Sequence, residues 1–293
     1  MRRATRARQP GLAAIAPRRH CGGMTAAPPL SIAFPDLAPW RDGGRAPYAP
    51  SVAAAAPGPH FAVAALVHGN EPCGAVALDR LLRRDLRPIR GRLTFLFVNI
   101  DAYAAFDARD PDASRGLAAD LNRIWSSDRL DGPDEGPEYA RARALRPLID
   151  SVDLLLDLHS MRNPGPPILL AGPLDKGAAL ARSLGADWPI LRDAGHAAGV
   201  RLRDYAAFGD PASPKAAVLA ECGQHWAAES GAQAIAIAAR FLRATGVVAP
   251  DAVADLIGPE AAPAAPPVYE VTDVVTVRTN VFRFAEPYVG MEA

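Results

Sequence analysis

The sequence predicts an α/β sandwich with a mixed or largely parallel central sheet, and three observations carry that prediction. Mainly apolar runs of strand length recur at residues 61–67, 93–100 and 152–158, as in strands buried on both faces. Longer segments with helical periodicity lie between them, and strands alternating with helices build a sheet covered on both sides. The size agrees: 293 residues, 49% hydrophobic and 22% charged, suffice for one large domain and exclude disorder along the whole chain.

Residues 1–23 hold six arginines (Arg2, Arg3, Arg6, Arg8, Arg18 and Arg19) and no acid. They lack the apolar stretch of an export signal, so they read as a basic leader, disordered or never translated, with Met24 as the true start. FAVAALV at 61–67 is the first buried strand. A helix at 75–86 follows Pro72, with Leu78, Leu81 and Leu82 on one side and Pro88 ending it. LTFLFVNI at 93–100 is the second strand. Residues 102–134 read as irregular, rich in Asp, Ser, Arg and Pro, and too long for an idle connection. A helix at 138–146 follows, which Pro147 ends or kinks. VDLLLDL at 152–158 is the third strand, 168–171 a fourth, 178–184 a helix, AAVLA at 216–220 a further strand, and 227–245 the last helix. AAPAAPP at 261–267 reads as a stiff linker. Beyond it, 268–277 and 280–284 alternate like strands but are too little to form a module alone. The expected organisation is thus a main domain over 24–260 and a short or truncated C-terminal β segment, a partial β domain over 268–293.

Several partners are excluded. After residue 23 the chain carries 26 basic and 32 acidic residues, so there is no basic field for nucleic acid. No run approaches the ~18 apolar residues of a membrane span, since the most apolar helix is interrupted by Arg240 and Arg243. Three cysteines, Cys21, Cys73 and Cys222, with no CxxC spacing make no disulfide framework and point to the cytoplasm. A homo-oligomer is left open.

The informative residues sit just past the apolar strands, where open α/β sheets bind ligands. His68 and Glu71 follow the first strand in His68-Gly69-Asn70-Glu71, a spacing that points both side chains one way from a turn. His159 follows the third strand, and Glu221 the strand before the last helix. Two histidines and one carboxylate form the protein half of a catalytic zinc site, with one position left for water. A separate carboxylate must then move the proton, and Glu221 is free for that. Asp157, two residues before His159, faces the same side and can orient its imidazole. Each residue alone has a plainer reading, such as a solvated turn, a buried histidine or an ion pair. The joint placement at three strand ends is what carries weight. Of the remaining histidines, His20 lies in the leader, His60 precedes the first strand, His196 sits in a loop, and His225 reads as capping a turn. In the long loop, which also holds Asp120, Arg115, Asn122 and Arg123 offer guanidinium and amide groups suited to a substrate carboxylate.

HGNE, DLNR, DLHS and ECG, in this order, resemble the succinylglutamate desuccinylase/aspartoacylase family, related to the zinc carboxypeptidases, over about residues 60–245. The resemblance implies a zinc-carboxypeptidase-like three-layer sandwich with a mixed central sheet, followed by a small β domain. It implies one Zn2+ per chain on His68, Glu71 and His159, and Glu221 as general base and acid. It implies Asn122 and Arg123 for the substrate carboxylate and Arg115 for polarising the scissile carbonyl. Asp157 and Asp120 are expected, apart from the resemblance, to support the ligands. Arg162, Arg201, Arg203 and Tyr205 are candidates for a second carboxylate contact, each read first as a surface residue. The expected activity is zinc-dependent hydrolysis of the amide bond of an N-acyl amino acid or similar small acyl amide, by metal-activated water. Two rivals stand beside it: a metallocarboxypeptidase acting on short peptides, and a zinc-binding protein without turnover.

Overall fold

The computed structural model describes residues 29–258 and 266–274. The leader expected at 1–23 and residues 275–293 of the expected β segment lie outside them. In chain order the regular elements are β1 (Ser51–Ala53), β2 (His60–Ala65), α1 (Cys73–Leu82), β3 (Arg92–Phe97), α2 (Ile100–Ala104), α3 (Ser127–Leu130), α4 (Pro137–Asp150), β4 (Leu154–Met161), β5 (Ile168–Leu170), α5 (Asp175–Ser183), β6 (Ile190–Arg192), β7 (Ala216–Gln224), α6 (Ala228–Thr245) and β8 (Val268–Glu270).

The strands form one mixed eight-stranded sheet in the order β1-β3-β2-β4-β7-β5-β6-β8. β3, β2, β4 and β7 run parallel, while β1 pairs antiparallel with β3 and β5 with β7. Period-two alternation then divides the apolar residues between two cores. Phe61, Val63, Leu156, Leu158, Val218 and Ala220 face α1, α5 and α6. Ala62, Ala64, Leu155 and Ala217 face α4 and the segment around Trp125. The result is the three-layer α/β sandwich that the apolar runs predict. β8 extends the same sheet at its edge, parallel to β6. No helix among the described residues is long and apolar enough to cross a membrane.

The structure departs from the sequence reading in several places: α1 stops at Leu82, short of Pro88, β8 stops at Glu270 within the strand expected over 268–277, and the short strands β1 and β6 carry no apolar run long enough to read. Pro147 does not end α4, which continues to Asp150. The last turn buries Leu148 and Ile149 in the second core, and that burial outweighs the backbone hydrogen bond a proline forfeits. Residues 102–134 are not irregular throughout, since they contain part of α2, all of α3, and 3-10 turns at Ala113–Arg115 and Leu121–Arg123. Short capped turns leave no helical periodicity to read. Finally, β4 and β7 run on through His159 and Glu221 instead of ending before them.

Candidate active site

The site assembles at the carboxyl ends of β2, β4 and β7. After β2 the chain turns at Leu66, whose φ of 61° is left-handed; that conformation costs an L residue ~1–2 kcal/mol. Gly69 follows in a crowded turn, where a Cβ would lie 2.3 Å from the Ala102 carbonyl carbon and 2.5 Å from Ser114 O. Only glycine allows that approach, which aims His68 and Glu71 back over the sheet at the start of α1. His159 comes from β4 on the face shared with Leu155 and Asp157. β4 and β7 are in parallel register with His159 opposite Glu221, so both side chains project from one face. The ladder shifts between His159 and Met161, immediately beyond this pair.

Glu71 lies between the two imidazoles. Its Oε1 is 2.7 Å from His68 Nδ1, and its Oε2 is 2.9 Å from His159 Nδ1 and accepts the Ser160 N–H at 3.1 Å. Ligand atoms of His68, Glu71 and His159 all lie within 4.8 Å of one another, and all three residues are buried. Each imidazole meets a second carboxylate through its other nitrogen. His68 Nε2 is 3.0 Å from Asp120 Oδ1, and His159 Nε2 is 3.1 Å from Asp157 Oδ2. The second approach is an ion-pair contact without hydrogen-bond alignment, so both Asp157 oxygens and His159 Nε2 are buried without a hydrogen-bond partner.

The charges follow from this packing. Burial alone would raise the Glu71 carboxyl, but the His68 and His159 imidazoles overcome it and hold it well below its usual range. Burial opposes charge on His159 as well, yet Asp157 and Glu71 push its pKa well above the ordinary value. Glu221 goes the other way: burial, then repulsion from Glu71, pushes its carboxyl up to about 8. Its Oε2 is buried with no hydrogen-bond partner. Several carboxylates around two imidazoles, with a buried aspartate that has no hydrogen-bond partner, make an electronegative nest that fits a divalent cation on the His68–Glu71–His159 donor set.

The loop residues close one wall. Arg115 donates to Glu71 Oε1 at 3.3 Å and to Asp120 Oδ2 at 3.2 Å. Asn122 is buried and uses its Oδ1 to accept the Leu202 N–H at 2.9 Å, leaving its amide N–H groups for the cleft. Arg123 donates to the Asn122 carbonyl at 2.7 Å. Gly199 packs against the Arg123 carbonyl, where a Cβ would come within 2.0 Å. His68, Glu71, Arg115, Asn122, Arg123, His159 and Glu221 all line one cleft of about 300 Å³. Asp120 and Asp157 stand behind the imidazoles. A cavity of about 340 Å³ lies elsewhere, around Gly172, Ala194 and Phe208, so volume alone would misplace the site.

Other residues were misjudged or missed. Arg162 and Arg201 line the cleft, whereas Arg203 is buried in an ion pair with Asp193 at 2.7 Å and Tyr205 donates to Asp150 at 2.9 Å. The His225 N–H closes no turn of its own but pairs with Met161 O at the end of β4, and its ring is buried in the cleft wall beside Ser160. Glu138 was not singled out. It is buried and accepts the N–H groups of Leu117, Ala118 and Ala119 at 2.6, 3.1 and 3.2 Å, fixing the loop that carries Arg115 and Asp120. The sequence carries no signal for this role, because the three partners lie 19 to 21 residues away in the chain.

Comparison with known proteins agrees with this fold. The chain is similar to the ectoine utilization protein EutE (DoeB) from Ruegeria pomeroyi, at 20% identity and a TM-score of 0.53 over 74% of this chain and 64% of that one. It is similar to a succinylglutamate desuccinylase/aspartoacylase from Rhodobacter sphaeroides, at 19% identity and a TM-score of 0.51 over 68% and 59%. It is also similar to the succinylglutamate desuccinylase from Chromobacterium violaceum, at 18% identity and a TM-score of 0.55 over 80% and 76%. The chain thus spans about three fifths of the length of the first two structures. No curated protein matches it. The model of the succinylglutamate desuccinylase/aspartoacylase catalytic domain matches residues 57–244, well over half of the sequence. The chain belongs to the succinylglutamate desuccinylase/aspartoacylase family.

Proposed function

We propose that this chain is a zinc-dependent deacylase that hydrolyses the amide bond of an N-acyl amino acid or similar small acyl amide. The observation that carries the reading is the buried His68–Glu71–His159 set with the unpartnered Glu221 carboxylate opposite His159. His68, Glu71 and His159 would hold the ion, with Asp120 and Asp157 orienting the two imidazoles. A bound Zn2+ supplies Lewis acidity toward water and toward the acyl oxygen.

The chain's own residues do the rest. Glu221 takes a proton from the attacking water and returns it to the amine as the C–N bond breaks, a role open to it because it stands opposite His159 with its Oε2 bound to no other group. Arg115, held over Glu71 and Asp120, presents its guanidinium to the carbonyl oxygen where negative charge develops. Asn122 and Arg123 grip the carboxylate of the amino acid and so orient the amide.

The test is a turnover screen of the full chain, loaded with zinc, on N-acetyl-L-aspartate, N-succinyl-L-glutamate and blocked dipeptides. Hydrolysis of an N-acyl amino acid is expected, with Glu221→Gln retaining zinc and losing roughly 10²- to 10⁴-fold in kcat. Cleavage of blocked dipeptides alone would replace the deacylase with a carboxypeptidase. Absence of turnover on every substrate would leave a zinc-binding chain without catalysis.

A further inference from the structure

His225 has a role that neither the metal set nor Glu221 accounts for. Its backbone N–H is tied to Met161 O, and the next residue, Trp226, donates its indole N–H to Asn70 O at 3.2 Å. The imidazole ring packs against the Trp226 ring with centroids 5.6 Å apart. Its Nδ1 is 2.8 Å from Ser160 Oγ, while the Ser160 N–H is given to Glu71. The ring is therefore held by Ser160 and by Trp226, and two hydrogen bonds through Ser160 link it to Glu71.

The tautomer follows from the partners. The Ser160 hydroxyl proton has Nδ1 as its only acceptor among the described residues. Leaving that buried proton unpaired would cost ~1–3 kcal/mol, so Ser160 donates and Nδ1 accepts. The ring proton then sits on Nε2. That nitrogen has no partner among the described residues and is not among the buried unpaired atoms, while His225 lines the cleft. Nε2–H is thus a donor offered to whatever fills the cleft. Burial pushes the His225 pKa down to about 4, which keeps the donor neutral.

Its position says which part of a substrate it meets. Asn122 and Arg123 are braced by Leu202 and Gly199, on one wall. His225 lines the same cleft and is braced by Ser160 and Met161, with Ser160 also bound to Glu71. A substrate whose carboxylate rests on Asn122 and Arg123, and whose amide lies over Glu71, extends its acyl group toward His225. We propose that His225 contacts the substrate directly, donating its Nε2–H to an oxygen of the acyl group and so helping to select which acyl groups are accepted. This inference rests on the deacylase reading.

The test is calorimetric binding of N-acetyl-L-aspartate and N-succinyl-L-glutamate to the zinc-loaded full chain carrying Glu221→Gln, so that no turnover intervenes. Adding His225→Leu is expected to weaken the better ligand about three- to tenfold, the range of one neutral hydrogen bond. His225→Gln, which returns an N–H near the Nε2 position, is expected to recover most of that loss, with zinc content unchanged throughout. An unchanged affinity in His225→Leu, a loss that glutamine does not recover, or an equal weakening of free L-aspartate overturns the assignment of His225 alone. Absence of binding of both N-acyl ligands overturns the deacylase reading and this inference with it.

Discussion

At the scale of single residues, the site works by pushing chemically similar groups apart. Glu71 and Glu221 are both buried carboxylates, yet two imidazoles hold the first ionised while burial and Glu71 itself raise the second. Histidines divide the same way: His159 is drawn toward charge by Asp157 and Glu71, while His60 and His225 are kept neutral by burial. His60 gives a clean prediction because it lies away from the cleft, bound to Thr94 at 2.8 Å and Ser151 at 3.1 Å. Burial, then the Arg92 charge, pushes its pKa down to about 4 from 6.5. Above pH 6.5 the residue is neutral in both states and contributes no pH dependence. As pH falls from 6.5 toward 4 the unfolded chain takes up a proton that the folded one refuses, so stability drops. The full penalty is ~3 kcal/mol, reached near pH 4. Denaturant unfolding at pH 7 and pH 5 is expected to show a steeper loss for the wild type than for His60→Gln. Equal losses in the two chains would remove His60 from the account.

At the scale of elements, the function depends on what holds strand ends and loops in place. Glu138 on α4 binds three consecutive backbone N–H groups of the loop that carries Arg115 and Asp120. Glu138→Ala is expected to cost ~2–4 kcal/mol in denaturant unfolding and to speed tryptic cutting after Arg115; unchanged stability and digestion would show that the loop is held by other contacts. Gly69→Ala, which places a methyl group against Ala102 and Ser114, is expected to cost more than ~2 kcal/mol and to lower metal affinity. A stable chain with full metal content would show that the turn can yield. The gathering of His68, Glu71, His159 and Glu221 at neighbouring strand ends was legible in the sequence because His68, His159 and Glu221 each follow an apolar run of strand length and Glu71 lies three residues beyond His68. Glu138, Ser160 and the ring of His225 were not, because their roles exist only through partners distant in the chain. Pro147 misled for a related reason: a local rule about proline was overruled by the burial of Leu148 and Ile149. The extension of β4 and β7 through His159 and Glu221 was hidden because polar residues at a strand's carboxyl end break the apolar pattern while the ladder continues.

At the scale of the whole molecule, one sheet with a core on each face fixes three strand ends side by side, and the site is the consequence. His68 and Glu71 reach it from β2 and α1, His159 from β4 and Glu221 from β7, so occupancy of the site ties the central elements together. A ligand that binds only the folded state stabilises it by ~2.7 kcal/mol at a hundredfold excess over Kd. Removal of zinc with a chelator is therefore expected to lower Tm by several degrees, with recovery on readdition. A Tm indifferent to both treatments would show that no ion couples to the fold. The central claim is that His68, Glu71 and His159 together hold one zinc ion, and the most direct measurement is zinc content per chain in purified wild type and His159→Ala. About one zinc in the wild type and little in the variant is the expected result. No zinc in the wild type after reconstitution, or equal zinc in both chains, would contradict it.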